Sequence, residues 1–223
     1  MPAPVDFLGL LGEADRHDLE AIGTPRRASR GQAILAEGQV ADRVILLRGG
    51  HVKVVASGAD GQQVVLAFRG PGALLGEQAI VDHAPRAAGV VAVEPVDMLV
   101  VAASAFRRYL AERPQIASAL VALLSRRLRD SDRRLVQFAT SDTLGRVAAR
   151  LVQLCDEYGR RGADGDVHIA LPLTQEDLAG WTGASLESTG KALRQMRDLH
   201  WVSTARRSIT VHDVEALRQR AAG

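Results

Sequence analysis

The sequence predicts an α+β fold that runs from an antiparallel β-rich half, through one long helix, into a smaller helical half. Between Pro25 and Val101, short β-type runs alternate with glycine-containing turns, as in sandwiches and barrels. After Pro114, apolar residues recur every three or four positions, which is a helical pattern. Beyond residue 140, shorter helical stretches are separated by turn residues and strand-like runs. These patterns predict a division of the chain into residues 1–111, 112–139 and 140–223.

The composition is that of an ordinary globular protein. The chain has 223 residues, of which 47% are hydrophobic and 24% charged, and its formal net charge is +2. No apolar run reaches the roughly 18 residues of a membrane-spanning helix, and the N-terminus lacks the basic stretch of a secretory signal. We therefore expect a cytoplasmic protein with no membrane partner. The single cysteine, Cys155, excludes an intrachain disulfide and a four-cysteine iron–sulfur site.

The β-rich half is predicted to form an antiparallel β-roll over residues 25–102, after a short helical lead-in at residues 6–23. Turn signals recur through this half about every ten residues, a spacing typical of all-β architectures. Ala59-Asp60-Gly61 lies between two β-type runs and predicts a tight hairpin.

One stretch of this half does not fit a plain strand. From Gly70 to Val81 the chain passes through glycines into a short helical turn, and Arg86 follows. A glycine before a helix start leaves backbone N–H groups free to face an anion, and arginine can bind phosphate in a bidentate manner. Glu77 would repel phosphate but can accept from a sugar hydroxyl. The stretch therefore predicts a phosphate-and-ribose pocket, and a glycine-rich bend with a surface salt bridge is the alternative.

The long helix carries an apolar seam with steps of 4, 4, 3, 4 and 3 residues. This spacing is close to the 3.5-residue period of a coiled coil, so we expect the helix to pair with its copy in a symmetric dimer. Ser131 interrupts the seam, and Arg127 precedes it by one turn; either the serine fixes the register or a ligand lies against the helix. The residues predicted to form the dimer contact are Leu120, Leu124, Leu128, Leu135 and Phe138.

Two short helices with a tight turn are predicted between residues 173 and 199. Thr174 with Asp177 three residues later resembles a capping box, Gly183 suits the turn, and Ser185 suits the N-cap of the second helix. That helix would bury Thr189, Leu193 and Met196 and expose Glu187, Lys191 and Arg194. This layout predicts a helix-turn-helix whose second helix enters the major groove of DNA, and an ordinary αα-hairpin is the alternative.

The residues after the second helix strengthen this interpretation. Two strand-like runs, residues 200–204 and 208–211, flank the basic turn Ala205-Arg206-Arg207, as in the wing of a winged helix. Its arginines would contact phosphate, which positions a protein on DNA without reading sequence; the alternative is a solvated hairpin tip. The residues that we predict to contact DNA are Thr174, Gln175, Ser185, Leu186, Glu187, Ser188, Lys191, Arg206 and Arg207.

These parts, in this order, resemble the CRP/FNR family of bacterial transcription regulators over nearly the whole chain. Residues 72–90, GALLGEQAIVDHAPRAAGV, resemble the phosphate-binding cassette of the family. Residues 142–154 and 173–193, DTLGRVAARLVQL and LTQEDLAGWTGASLESTGKAL, resemble its DNA-binding domain. The resemblance implies a homodimeric regulator with a cyclic-nucleotide-binding β-roll. It also implies a palindromic DNA operator and RNA polymerase as partners, and no catalytic residue or metal.

The resemblance also assigns residues to an effector site. It implies that Gly76, Glu77 and Arg86 bind the phosphate and ribose of a cyclic nucleotide, with cAMP as the first expectation and a cyclic dinucleotide as the alternative; no other cofactor is required. Ala87 replaces a hydroxyl residue that donates to phosphate in cAMP-binding members, and such a lost neutral donor is worth about 0.5–1.5 kcal/mol. The full set implied by the resemblance is Gly76, Glu77, Gln78, Arg86, Ala87, Arg127 and Ser131, the last from the partner subunit.

The recognition helix departs from the family pattern as well. The positions that read bases in cAMP-binding members are Leu186, Glu187 and Lys191 here; leucine cannot form a bidentate hydrogen bond, so we expect a shifted or relaxed operator. Two other classes of function stay open: an effector-independent DNA binder with a degenerate pocket, and an enzyme that uses Cys155 and His168. The enzyme lacks a recognisable oxyanion element. The sequence leaves the effector, the operator, the target genes and the sign of regulation undetermined.

Overall fold

The computed structural model describes residues 6–58 and 61–222. They form two compact units, one comprising the described residues up to Arg129 and the other those from Asp130 onward. None of the helices in this part of the chain is long and apolar enough to cross a membrane. The order of the elements is α1 Glu13–Ala21, β1 Thr24–Ala28, β2 Ala33–Leu35, β3 Arg43–Gly49, β4 Val52–Ser57, β5 Gln63–Arg69, β6 Leu74–Leu75, α2 Gln78–Val81, β7 Gly89–Ala92, β8 Val96–Ala102, α3 Ala103–Glu112, α4 Pro114–Thr140, α5 Thr143–Tyr158, β9 Gly159–Arg161, β10 Val167–Ile169, α6 Gln175–Thr182, α7 Leu186–Asp198, β11 Val202–Ala205, β12 Ser208–Val211 and α8 Val214–Ala222.

The first unit contains the predicted β-roll. Its strands form two four-stranded antiparallel sheets with the orders β1-β8-β3-β6 and β2-β7-β4-β5. The predicted hairpin at Ala59 and Asp60 lies outside the described residues, but β4 and β5 on either side of it pair as neighbours. The mixed fold, with antiparallel sheets before a long helix and a helix-turn-helix, is therefore confirmed.

Strand β3 shows how the core of this unit is divided. Ile45 and Leu47 pack between the two sheets, whereas Val44 and Leu46 pack on the opposite face of their sheet, in a cluster that includes Phe106. A strand buried on both faces reads as a continuous apolar run because neither face meets water. The same outer cluster includes residues of α1, α3 and the beginning of α4: Leu19, Phe106, Tyr109, Ile116, Leu120 and Leu123.

The position of Leu120 corrects one prediction about the dimer seam. Leu120 is 3% exposed and belongs to the core of its own unit, and Leu124 is half-buried against that core. Three of the exposed apolar side chains of α4 are spaced by seven residues: Val121 is 63%, Leu128 63% and Leu135 69% exposed. Val136 and Phe138, at 61% and 55%, are exposed near the end of the same helix. The predicted dimer contact loses Leu120, because a step of four back from Leu124 reaches the side of the helix that packs on the β-roll; its other residues stay a prediction.

The second unit combines a helical cluster with a four-stranded antiparallel sheet of order β11-β12-β10-β9. Helix α5 begins at Asp142, whose carboxylate accepts a hydrogen bond from the Gly145 amide at 2.8 Å. The same carboxylate holds Arg220 of α8 at 2.5 Å and 2.6 Å. One residue therefore both caps α5 and fastens the last helix to it. Strand β11 starts at Val202, later than predicted, because His200 has a left-handed backbone with φ +59°.

Candidate nucleotide pocket and nucleic-acid interface

The bend between β6 and α2 depends on Gly76. This residue has φ +77°, a conformation that side chains rarely adopt, and a Cβ atom here would collide with Nη1 of Arg86. Leu74 and Leu75 on β6 are fully buried and fix the chain before the bend. The backbone therefore approaches the Arg86 guanidinium closely, as a site for a small anion requires.

Arg86 is a buried cation with little neutralising charge around it. It is 4% exposed and donates from Nη2 to the backbone oxygen of Arg43 at 2.8 Å. Its other partners are the Gly76 oxygen at 3.5 Å and the exposed carboxylate of Asp42 at 3.3 Å. Burial lowers the pKa of Arg86, although Asp42 raises it. The two carbonyls satisfy N–H groups without balancing the charge, and the one carboxylate partner, Asp42, is 62% exposed at 3.3 Å, so the environment favours an added anion.

Glu77 connects the bend to the long helix. It is 2% exposed, and its Oε1 lies 2.5 Å from Nη1 of Arg127. Arg127 also donates from Nη2 to the backbone oxygen of Leu74 at 2.8 Å. One region of the first unit thus contains Gly76, Glu77, Arg86 and Arg127. No local sequence pattern could have shown that Arg127, 50 residues from Glu77, belongs to it.

The other predicted effector residues are less constrained. Gln78 and Ala87 both follow the bend and are exposed, and Ala87 has no hydroxyl to offer. Ser131 is exposed on α4 in the second unit. The contribution of these residues to ligand binding stays a prediction.

The helix-turn-helix has the caps that the sequence predicts. Thr174 and Asp177 form a reciprocal capping box at the start of α6, with both side chain-to-amide distances at 3.0 Å. Gly183 ends α6 in the left-handed conformation, with φ +62°. Ser185 then caps α7 by accepting a hydrogen bond from the Ser188 amide at 3.1 Å. These local contacts fix the angle at which α7 leaves the turn.

Helix α7 has the two faces that its periodicity predicts. Thr189, Leu193 and Met196 are buried, together with Ala192. On the outer face Lys191 Nζ lies 2.7 Å from Glu187 Oε1, and these side chains are 72% and 77% exposed. Leu186, at the first helical position, is also exposed. Arg194 is exposed as predicted, so the first half of the helix presents two opposite charges and one apolar side chain to solvent and Arg194 adds a cation one turn later.

The wing follows directly after this helix. Strands β11 and β12 pair antiparallel, from Val202 opposite Val211 to Ala205 opposite Ser208, and Arg206 and Arg207 form the exposed tip between them. Arg197 of α7 donates to the Thr204 hydroxyl at 3.1 Å, which ties the wing to α7. Two cations thus stand at a fixed place beside the exposed face of α7, where they can contact phosphate.

Arg146 is a structural residue that the sequence did not reveal. It donates to the Thr182 oxygen at 2.9 Å and to the Ser141 oxygen at 2.8 Å, and its guanidinium lies 5.0 Å from the centre of the Phe138 ring. Phe138 in turn lies against Gly183, where a Cβ atom would be 2.7 Å from its ring. Part of Phe138 is therefore engaged by its own unit, and only its exposed part is available to the predicted dimer seam.

Cys155 does not have the environment of a nucleophile. It is half-buried on α5, and burial raises the pKa of its thiol to about 11. A thiol with this pKa is protonated near neutral pH and is a poor nucleophile. The residue is better described as part of the packing of α5.

Comparison with known proteins matches both units to one kind of protein. Residues 25–113 match the cyclic nucleotide-binding domain, and residues 145–220 match the Crp-like helix-turn-helix domain. A CRP-like cAMP-activated global transcriptional regulator of Mycobacterium tuberculosis is 33% identical over 192 residues, which cover 86% of this chain and 85% of that protein.

Solved structures show the same fold. FixK2 from Bradyrhizobium japonicum aligns with a TM-score of 0.79 at 21% identity, over 91% of this chain and 98% of that one. The c-di-GMP responsive global regulator CLP of Xanthomonas campestris aligns with a TM-score of 0.81 at 19% identity, over 91% and 100% of the two chains. The relatives are transcription regulators and not enzymes. Because it is similar to the mycobacterial protein along most of both chains, this protein belongs to the CRP/FNR family of bacterial transcription regulators.

Proposed function

We propose that the protein is a homodimeric, sequence-specific DNA-binding regulator that is controlled by a cyclic nucleotide bound at Gly76, Glu77, Arg86 and Arg127. The observation that carries the proposal is the buried Arg86 guanidinium beside the Gly76 bend, whose partners are two neutral carbonyl oxygens and the exposed Asp42 carboxylate. A cyclic phosphate diester carries a single negative charge and would supply the balancing anion. Arg86 can donate to it in a bidentate manner.

The ion pair between Glu77 and Arg127 links this pocket to α4. A ribose hydroxyl that donates to Glu77 would share the carboxylate with Arg127, whose Nη1 already lies 2.5 Å from Oε1. A ligand that binds here therefore changes a contact between the cassette and the long helix. If α4 can adopt two arrangements, such a ligand shifts their populations by as much as its affinities for the two arrangements differ. The shift would set the spacing of the two recognition helices in the dimer.

We propose cAMP as the effector and a cyclic dinucleotide as the alternative. The mycobacterial relative is named as cAMP-activated, and the Xanthomonas regulator is named as c-di-GMP responsive. Ala87 removes one neutral donor, which costs roughly 0.5–1.5 kcal/mol, or at most about tenfold in affinity. That loss weakens cAMP binding without abolishing it.

The exposed stripe of α4 supports the homodimer. Val121, Leu128 and Leu135 stand seven residues apart on a helix of 27 residues and are all more than 60% exposed. An apolar heptad stripe of this length is stabilised when it pairs with a second copy. A twofold dimer places two α7 helices on a palindromic operator, and such a regulator would act on RNA polymerase in the cytoplasm.

Isothermal titration of the full chain with cAMP, and separately with c-di-GMP, tests the pocket. We expect a heat of binding that Arg86→Gln abolishes, because glutamine is close in size but carries no charge. Arg26→Gln is the matched control, since Arg26 is exposed on β1 and donates to the oxygen of the adjacent Pro25. Thermal melting would establish that the glutamine variant is folded. Equal binding by the wild type and a folded Arg86→Gln protein would remove this pocket from the proposal.

An effector-independent DNA binder is the second candidate. The Glu77–Arg127 pair favours it, since this ion pair by itself joins the cassette to α4, and so does Ala87. Operator binding that neither cyclic nucleotide changes would support this candidate over the first.

A further inference from the structure

An exposed leucine stands at the start of the helix that is proposed to enter the major groove. Leu186 is the first residue of α7 and is 49% exposed. The core of the unit does not need it, because the buried face of α7 is formed by other residues. Its chain neighbours are the polar Ser185 and Glu187, so it is an isolated apolar group on a polar surface.

The helix surface next to Leu186 includes a residue without a side chain. Gly190 follows one helical turn later, so it is adjacent to Leu186 on the helix surface and has no side chain. Gln175 of α6 borders the same place, since a Cβ atom on Gly190 would be 3.9 Å from its Oε1. An apolar side chain therefore stands one helical turn from a position that has no side chain and that the Gln175 amide borders.

In the major groove, the apolar feature of a base edge is the C5-methyl group of a pyrimidine. A leucine placed against a polar base edge would instead leave hydrogen-bonding groups without partners, which is unfavourable. We infer that Leu186 reads a C5-methyl pyrimidine, while the neighbouring Glu187 and Lys191 read polar base edges. This inference rests on the proposed function, in which α7 enters the major groove.

Thymine and 5-methylcytosine share this chemistry, and replacing single bases separates them. An operator would first be enriched from random duplexes with the full chain, with and without cAMP. Each thymine would then be replaced by deoxyuridine, first in one half-site and then in both, which removes only the methyl group. We expect one thymine in each half-site at which uracil weakens binding about fourfold, the effect of burying one methyl-sized group, and about 15-fold when both half-sites are changed.

Changing the protein as well as the DNA assigns the effect to Leu186. Leu186→Ala should weaken binding to thymine-containing DNA by a similar factor and no longer distinguish thymine from uracil. Leu199→Ala is the matched control, because Leu199 is 48% exposed at the other end of α7. It should behave as the wild type does. An operator with 5-methylcytosine at the sensitive position should bind more tightly than one with cytosine there, because the methyl group is restored.

Three outcomes would overturn the inference. Uracil could bind within twofold of thymine at every position, Leu186→Ala could retain the full preference for thymine, or the control could lose it. In each of these cases the proposed function stands, because an operator is still bound. If no sequence is enriched at all, the proposed function and this inference fail together.

Discussion

The cassette bend and the recognition helix each contain an ion pair, but the two pairs differ in burial. Glu77 and Arg127 are 2% and 18% exposed, with 2.5 Å between the charged atoms. Glu187 and Lys191 are 77% and 72% exposed, with 2.7 Å between them. The distances between the charged atoms are nearly equal in the two pairs. Separating the charges costs more free energy in the Glu77–Arg127 pair, because water screens the exposed Glu187–Lys191 pair. The buried pair can therefore hold two elements together, and the exposed pair can exchange its partner for a base.

Removing one member of the buried pair should have the largest effect on stability. Arg127→Met leaves the Glu77 carboxylate buried without its cation, and we expect a loss of about 3 kcal/mol in the free energy of unfolding. Urea unfolding of the full chain at neutral pH would measure it. Arg126→Met, one position earlier on the same helix, is the control for the loss of an arginine from α4. A loss below 1 kcal/mol would show that the buried pair does not hold the cassette to α4.

The ion pair at Asp142 is intermediate in exposure and should be intermediate in effect. Asp142 and Arg220 are 64% and 26% exposed, and Asp142 also caps α5. Asp142→Ala should cost about 1 kcal/mol, the usual value of an N-cap. The hydrogen bond from the Gly145 amide lowers the pKa of Asp142, and Arg220 adds to this effect.

The pH dependence of this contribution has a definite sign. Because the pKa of Asp142 is lower in the folded state, its contribution is present above the unfolded value near 4 and is lost as the pH falls through the folded value. The difference in melting temperature between wild type and Asp142→Ala should therefore be constant from pH 7 to about 5 and shrink below about 4. A difference that stays constant down to pH 3 would contradict this assignment.

The parts that the sequence predicted well are those that short-range contacts determine. The capping box of Thr174 and Asp177 and the cap at Ser185 involve residues three positions apart, so their patterns are visible in the chain. The Gly183 turn is predictable for the same reason, since its backbone conformation excludes most other residues.

The parts that the sequence missed depend on long-range packing. Leu120 and Val121 are both apolar, and only the β-roll core decides that the first is buried and the second exposed. The partner of Glu77 is 50 residues away. In the sequence Arg146 looks like a surface arginine, and only the structure shows that it contacts Ser141, Thr182 and Phe138. Periodicity identifies a face but does not say which element covers it.

The exposed pair on α7 should show the smallest effect on folding and a much larger one on recognition. Glu187→Gln removes a pair that is more than 70% exposed on both sides, so the free energy of unfolding should change by no more than about 0.5 kcal/mol. The same change removes a carboxylate that can accept from a cytosine amino group, and discrimination at that base pair should fall by roughly 1–3 kcal/mol. Urea unfolding and operator binding of one protein preparation measure both quantities. If stability fell as much as discrimination, the pair would have a structural role like that of Glu77 and Arg127, and the contrast between the two regions would not hold.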